Sequence, residues 1–538
     1  MAQAPTFLQD VTPESGIQFQ HFSGNSGKHF IVETVASGLV SFDFDGDGLL
    51  DIYFLNGAPL LNRSADPQPT NHLYRNEGDF RFHDVTQRAG VGDTGFALGG
   101  VAGDFDNDGD QDLFISNFGN TVLLENSGDG TFVRREYSAP HERPQVGAGL
   151  ALLDINRDGL LDLYVANYVQ FGFDRDVSRE IFGVPAAPGP KDYLPEKDCL
   201  YLNLGEGNFL DISAQSGISD VAGTGMGVIA FDFDRDSDTD IFVGNDSAPN
   251  FLFENLGESS FAEIGLLAGL AYDVTGAQQA TMGVDFGDYN HDGWLDLVTT
   301  NFADEVPTLY ENSGAGFFDD VGVAAGLGVA NRSVTWGVAF VDIDNDSWLD
   351  LYIAAGHLIS GVSRLNDTER FEAPNLLLLN DGGGKFTNWS HTVKGDRPER
   401  VSRSVAVDDF NNDGRVDVAV LNLNDTPQLY ANVCNSTPAN HFLNLHLVGQ
   451  LSNRDGVGCE VIVRAGSLQL AQQTCRGRGY QSHFGSRLHF GLGKHATVDS
   501  ITISWPSGVE QQIGPISGDR FMTIFEPPAD AEQSGKDQ

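Results

Sequence analysis

Seven times along the chain, oxygen-bearing side chains recur at positions 1, 3, 5 and 9 of a nine-residue stretch. The first three copies are DFDGDGLLD (Asp43, Asp45, Asp47, Asp51), DFDNDGDQD (Asp104, Asp106, Asp108, Asp112) and DINRDGLLD (Asp154, Asn156, Asp158, Asp162). The fourth and fifth are DFDRDSDTD (Asp232, Asp234, Asp236, Asp240) and DYNHDGWLD (Asp288, Asn290, Asp292, Asp296). The last two are DIDNDSWLD (Asp342, Asp344, Asp346, Asp350) and DFNNDGRVD (Asp409, Asn411, Asp413, Asp417). Four such oxygens and the backbone carbonyl at position 7 can wrap a hard cation. Ca²⁺ takes six to eight oxygens at about 2.3–2.6 Å in flexible geometry, whereas Mg²⁺ demands a stricter octahedron and keeps its waters. No Cys or His belongs to the pattern, which excludes zinc. The first half matches an EF-hand, but no Glu stands at position 12 and no helices flank the loops. The expectation is up to seven Ca²⁺, mainly structural, because each loop otherwise crowds carboxylates that repel. Gly at position 6 allows a sharp turn. Ser237 and Ser347 stand there instead, which marks two sites as weaker or distorted.

The loops need elements to hold them. A small-residue apolar run precedes each one, as in GLVSF or TWGVAFV, and a short run such as DIYFLN or DLFISN follows. These are rich in Val, Ile, Tyr and Phe and read as strands. An L-x-x-N-x-G…F segment comes next, as in LYRNEGDF (Leu73–Phe80), with Gly and Asn supplying hairpin chemistry. Each unit thus has about four strands and no helix, and the loops begin 50 to 78 residues apart. That is the pattern of propeller blades with insertions. The seventh unit stops at LYAN (Leu429–Asn432) without a last strand, and the missing piece, FLQDVTPESGI (Phe7–Ile17), lies at the other end of the chain. It completes blade seven and removes an exposed edge. The predicted fold is all-β: a seven-bladed β-propeller over residues 1–438, with an insertion at 168–198. A small C-terminal β domain (439–528) and a disordered tail (529–538) follow.

Charge narrows the partners. Asp plus Glu outnumber Lys plus Arg by 76 to 31, leaving a net charge of −45, which disfavours nucleic acid and anionic membrane surfaces. No stretch of 18 apolar residues exists, so no membrane insertion is expected. The opening MAQAPTFLQD has no basic or apolar signal segment. The expectation is a secreted or extracytoplasmic protein whose signal peptide is absent from this chain. In the tail, Cys459 and Cys475 flank the Gly466–Ser467 turn and are expected to face each other across a hairpin, as a disulfide or as buried thiols. Cys199 and Cys434 pair or stay free.

The loops and hairpins resemble FG-GAP/VCBS repeats, as in integrin α-subunit propellers. The motifs NHFLNLHLVG (Asn440–Gly449), SNRDGVG (Ser452–Gly458), RLHFGLG (Arg487–Gly493) and WPSG (Trp505–Gly508) resemble the ASPIC/UnbV domain. Together they resemble the cartilage acidic protein family and its bacterial relatives. That resemblance implies secretion, calcium binding and mostly undefined biochemistry. RGRGYQSH (Arg476–His483) departs from it, where a Gly- and Ser-rich segment is expected.

Usual catalytic signatures are absent. GVGDTG (Gly90–Gly95) fits G-x-G-x-x-G only formally, since it falls at an interblade turn and opens no helix. Two features can still make a pocket. The insertion Tyr168–Asp198, rich in aromatics and Pro, reads as a lid over one mouth of the ring or as local cover for blade edges. His21, Glu33, His357 and Arg403, near strand ends, read as acid–base or anion-clamping candidates or as interblade hydrogen-bonding residues. The favoured function is a calcium-rigidified module that recognises a protein or glycan. The alternative is a lyase-, dehydratase-, cyclase- or alkylating-type enzyme working on a small-molecule substrate at the ring mouth under the insertion.

Overall fold

The computed structural model describes residues 6–528, apart from 25, 62–64, 66, 138–142, 176, 178, 182, 396–398 and 435–438. The expected tail 529–538 lies outside them. Leu39–Phe42, Asp51–Phe54, His72–Asn76 and Phe82–Asp84 pair in that order as an antiparallel sheet. Six further sheets repeat the four-strand order, the second and third of the ring being joined where Gln145–Val146 pairs with Phe118–Gly119. Their first strands are Ala97–Gly103, Gln145–Leu153, Gly225–Phe231, Val284–Gly287, Thr335–Val341 and Ser402–Asp408. Each first strand touches the next, and the seventh touches the first, so the seven sheets form a closed ring.

The ring closes as the repeat arithmetic requires. Leu8–Asp10 pairs antiparallel with Gln428–Asn432 as the fourth strand of sheet seven, Leu8 opposite Asn432 and Asp10 opposite Tyr430. Val393–Lys394 then adds a parallel strand outside it.

Neighbouring sheets share their cores. Between sheets one and two, Val40, Tyr53 and Leu73 pack with Ala102, Leu113 and Leu124. Both faces of each blade are covered, which is why runs such as DIYF and DLFIS are continuously apolar rather than alternating. Small residues line the axis because adjacent first strands approach closely. A Cβ on Gly227 would stand 2.5 Å from the Met282 carbonyl. GVGDTG opens no helix; Gly90, at φ 76°, caps the end of the short helix Thr86–Ala89.

The C-terminal region forms two larger sheets around one core that includes Leu443, Leu445, Val461, Val463 and Ile501, and a two-stranded one in which Thr497–Val498 pairs with Ile516–Ser517. One sheet runs Leu468–Gln473, Glu460–Ala465, Ser500–Ser504, Glu510–Ile513. The other runs Leu488–Gly493, His441–Val448, Arg520–Phe525. The hairpin register corrects the expectation for the cysteines. Glu460 opposes Gln473 and Ala465 opposes Leu468, so Cys459 falls opposite Thr474, one residue short of Cys475. A one-residue offset reverses the face. Cys459 enters the core of the C-terminal domain, whereas Cys475 packs against the propeller between sheets four and five. All four cysteines are free.

Candidate functional site

The seven loops share one backbone. Position 4 is left-handed in every copy, at φ of 56° to 69°, and so is position 6, at 74° to 102°. The latter range includes Ser237 (74°) and Ser347 (87°), so both serines carry the strain that Gly avoids. In each loop the first Asp accepts the position-6 N–H through Oδ2 at 2.7–3.1 Å. The ninth is held from both sides. Its Oδ2 accepts the position-2 N–H at 3.0–3.3 Å. Its Oδ1 accepts the backbone N–H of an Asn on the third strand at 2.7–2.8 Å.

That Asn also ties blades together. The side-chain Nδ2 of Asn76, Asn126, Asn203, Asn255, Asn312, Asn380 and Asn432 donates to the position-2 carbonyl of the preceding blade's loop, at 2.7–3.2 Å. The pairs run round the circle, with Asn76 of blade one reaching Phe410 of blade seven. The L-x-x-N-x-G segments display this residue, but its reach across blades depends on the closed ring.

The donor set fits a hard cation. Carboxylate oxygens of Asp43, Asp45 and Asp51 lie within 4.8 Å of one another, as do those of Asp104, Asp106 and Asp108. The same holds for Asp232, Asp234 and Asp240, and for Asp342, Asp344 and Asp350. In the three remaining loops an amide replaces the second acid, and its Nδ2 donates to the position-5 carboxylate, as from Asn156 to Asp158 at 2.9 Å. Burial pushes these acids up: Asp112 to about 9, Asp162 to about 8 and Asp104 to about 7. The charged forms are therefore costly without a compensating positive charge. Asp288 Oδ1, buried, has no hydrogen-bond partner. In loop one, Arg75 spans Asp45 (2.6 Å) and Asp47 (2.7 Å), so a guanidinium already neutralises part of that set.

The ring axis is filled from the loop end. Residues 475–485, which contain the anomalous RGRGYQSH, leave the C-terminal domain and run into the ring. Arg476 and Gly479 carbonyls accept the N–H groups of Leu152 (3.1 Å) and Val284 (3.0 Å). The His483 carbonyl accepts from Ser41 at 2.8 Å. The first strands of blades one, three and five are thus joined to one segment. Arg478 Nε donates to Asp285 Oδ1 at 2.7 Å, and Arg476 Nε to Asp455 Oδ2 at 3.2 Å. Tyr480, 0 % exposed, donates its hydroxyl to the Val35 carbonyl (2.7 Å) and meets Trp336 edge-on at 5.1 Å. The fit requires small residues: a Cβ on Gly38 would stand 1.6 Å from the Gln481 carbonyl. Two Arg in an eight-residue run of so acidic a chain were the only sequence signal of this plug.

The other mouth is apolar. The insertion buries Tyr168, Val169 and Phe171 against Phe30, Val35 and Phe96, at the starts of the first strands. Phe171 meets Phe118 at 5.2 Å and Phe30 at 5.6 Å.

The four polar candidates do not converge on an open pocket. His21 Nδ1 accepts the Asn424 N–H (3.0 Å), its Nε2 faces Ser37 Oγ (3.2 Å), and burial lowers it to about 3. Glu33 accepts from the N–H and hydroxyl of Ser26, both at 2.6 Å, and from the Phe30 N–H at 2.9 Å. His357 Nδ1 accepts the Ile359 N–H (2.9 Å) and Nε2 faces Glu369 (3.1 Å). Arg403 is 0 % exposed, stacks 4.0 Å over Trp336, and donates Nε to the Thr34 carbonyl at 3.0 Å. Beside the insertion lies a depression of about 790 Å³ on the flank of blade three, lined by Arg143, Glu196, Lys197 and Asp211 among others and by none of these four.

The family model for FG-GAP-like repeats matches residues 43–115, 104–165, 232–299 and 288–353, and that for ASPIC and UnbV matches 449–531. Cartilage acidic protein 1 of Homo sapiens is 26% identical over 498 residues, 87% of this chain and 68% of that protein. The Mus musculus protein is 26% identical over 77% of this chain and 62% of its own length. The chain thus spans about two thirds of these relatives. Among solved structures, an Agrocybe aegerita lectin recognising non-reducing terminal N-acetylglucosamine aligns at 18% identity and TM-score 0.38, over 66% of this chain and 79% of that one. YCF48 bound to D1 peptide aligns at 9% identity and TM-score 0.41, over 81% and 100%. No helix among the described residues is long and apolar enough to cross a membrane.

Proposed function

From the premise that the chain is an FG-GAP-repeat protein with a C-terminal ASPIC/UnbV domain, we propose that it is an extracytoplasmic recognition module whose blades are locked by calcium. The observation that carries this reading is the seven-fold identity of the loops. Each presents oxygen donors on one backbone, each holds acids that burial makes costly when charged, and each is wired by one Asn to its neighbour. Asp43, Asp45, Asp47 and Asp51 and their six counterpart sets would hold the ions. A bound Ca²⁺ supplies the positive charge that relieves the crowding, and the Asn ties pass that order round the ring. Recognition then uses rigid surfaces at the rim and at the C-terminal domain, for a protein or glycan ligand.

The ring-mouth enzyme is less well supported. The place it needs is occupied by Tyr480 and Gln481 from one side and by the aromatic insertion from the other. His21, His357 and Arg403 are committed to internal partners.

A calcium-titrated thermal melt of chelated protein tests the reading. Ligand linkage gives about 2.7 kcal/mol per site at a hundredfold excess over Kd. Several sites together would make calcium removal the largest single perturbation of this chain. No rise in Tm with added Ca²⁺, and no calcium by elemental analysis, would refute it.

A further inference from the structure

A cleft of about 610 Å³ runs between the loop end of the ring and the C-terminal domain. Its floor holds Asp43 of loop one and Asp104 of loop two. Its roof is one face of the sheet that ends in Arg520–Phe525. There Asn444, His446 and Val448 stand opposite Phe521, Thr523 and Phe525 in parallel register. Among the described residues no strand pairs the outer side of Arg520–Phe525. The Glu526 N–H reaches back to the Val448 carbonyl at 2.9 Å. Backbone groups alternate sides along a strand, so those of Phe521, Thr523 and Phe525 point outward. Edge strands are ordinarily guarded by Lys, Pro or inward-pointing charge. This one has Arg520 at its start and Pro527–Pro528 just past its end, but between them it exposes Phe521 (38%) and Phe525 (53%).

The walls supply the charge. Arg487 bridges the Asn412 amide oxygen (2.8 Å) and the Gly48 carbonyl (2.7 Å) across the cleft. The Arg454 main chain is tied to Asn107 (N–H to Oδ1, 2.8 Å). Its half-buried guanidinium has no hydrogen-bond or ion-pair partner among the described residues. Three guanidiniums, of Arg454, Arg476 and Arg487, line the cleft beside the carboxylates of Asp43, Asp104 and Asp455. Arg476 is paired with Asp455, and Asp43 and Asp104 accept N–H groups of their own loops, which leaves Arg454 and Arg487 to meet a ligand's acids.

We propose that this cleft docks an extended acidic segment of a protein partner, which adds as a further strand along Arg520–Phe525. The partner's main chain takes the free ladder groups, its alternate side chains meet Phe521 and Phe525, and its carboxylates meet Arg454 and Arg487. This is strand addition, in which the backbone gives affinity and alternate side chains give specificity. A sugar's hydroxyls can bond single backbone groups but cannot match the regular repeat of a ladder, which is why the edge favours peptide. The proposal rests on the recognition reading above.

The test is selection of a random dodecapeptide phage library on the calcium-loaded full chain, with Arg454→Glu and Phe521→Ser variants in parallel. Arg454 is half-buried and Phe521 meets Phe442 edge-on at 5.5 Å, so unchanged melting curves are required to verify the fold. Enriched peptides should be rich in Asp and Glu. They should lose at least tenfold in affinity on Arg454→Glu and severalfold on Phe521→Ser. N-methylation of alternate amides in one of the two registers should abolish binding. No enrichment, equal binding to wild type and variants, or indifference to N-methylation in both registers overturns the proposal. So does binding of uronate oligosaccharides that is lost in both variants while peptides fail. If calcium raises Tm but the selection fails, only the cleft assignment falls. If calcium has no effect either, the underlying reading falls first.

Discussion

At the loop end, the axis of the ring is stopped by guanidiniums, carboxylates and backbone ladders; at the other end it is stopped by aromatic rings and aliphatic chains. The first closure is directional. Arg478 needs Asp285, Arg476 needs Asp455, and Asp455 also accepts the Asp104 N–H at 2.9 Å, inside loop two. Its order is therefore coupled to whatever the loops bind. The second closure, around Phe171 and Phe30, is non-directional and tolerates changes of shape. One ring can thus carry a conditional end and an unconditional one.

The sharpest way to break this contrast is to remove one member of a buried pair. Arg478→Met leaves Asp285 buried and uncompensated and should cost about 3–5 kcal/mol. Phe171→Leu at the other mouth should cost under about 2 kcal/mol. Urea midpoints of the calcium-loaded variants measure both, and the reverse order would end the comparison. Asn312→Ala severs one interblade tie, to the Phe233 carbonyl at 2.9 Å. It should cost about 1–3 kcal/mol, because a buried acceptor is left unmade. An Asn312→Ala variant as stable as wild type would show that the Asn ring carries no load.

Acid should act on His21, which joins the N-terminal segment to blade seven. Its folded pKa of about 3 lies below the unfolded 6.5. The folded form therefore binds fewer protons in that window. Its contribution is fully present above pH 6.5 and is lost as pH falls from there toward 3. Between pH 7 and 5 that amounts to at most about 2 kcal/mol. His21→Gln should flatten that part of the pH profile of Tm, and an unchanged profile counts against it. The smallest effect is a gain. Ser347→Gly relieves a left-handed residue and should add about 1 kcal/mol. Loop six should also bind Ca²⁺ more tightly by isothermal titration; weaker binding would mean that strain at position 6 is not what limits the site.

How much was legible in the chain follows from how local each signal is. Oxygens at 1, 3, 5 and 9 of one loop are neighbours in sequence, so their clustering could be read directly. The absent last strand of unit seven could be matched to Phe7–Ile17 because both belong to a repeat. The plug was not legible: Tyr480 meets Val35 and Trp336, contacts that no periodicity announces. Arg476–His483 stood out only as a departure. The Asn of each hairpin was visible as a turn former, but its second bond lies on another blade. Cys459 and Cys475 are the buried thiols that the sequence allowed, but their facing each other failed on a single residue of register, the one quantity that alternation in a strand makes unforgiving.

The pairing of Leu8–Asp10 with Gln428–Asn432 has a consequence for how the molecule is made. The ribosome finishes the first partner more than four hundred residues before the second. At roughly 5–20 residues per second, that interval is on the order of tens of seconds. Throughout it, that strand waits without its mate, and six blades stand as an open arc with two uncovered faces. The protein's most vulnerable moment is therefore set by translation speed, and a nascent chain held just short of residue 428 should be the form most prone to capture by chaperones or by its own neighbours.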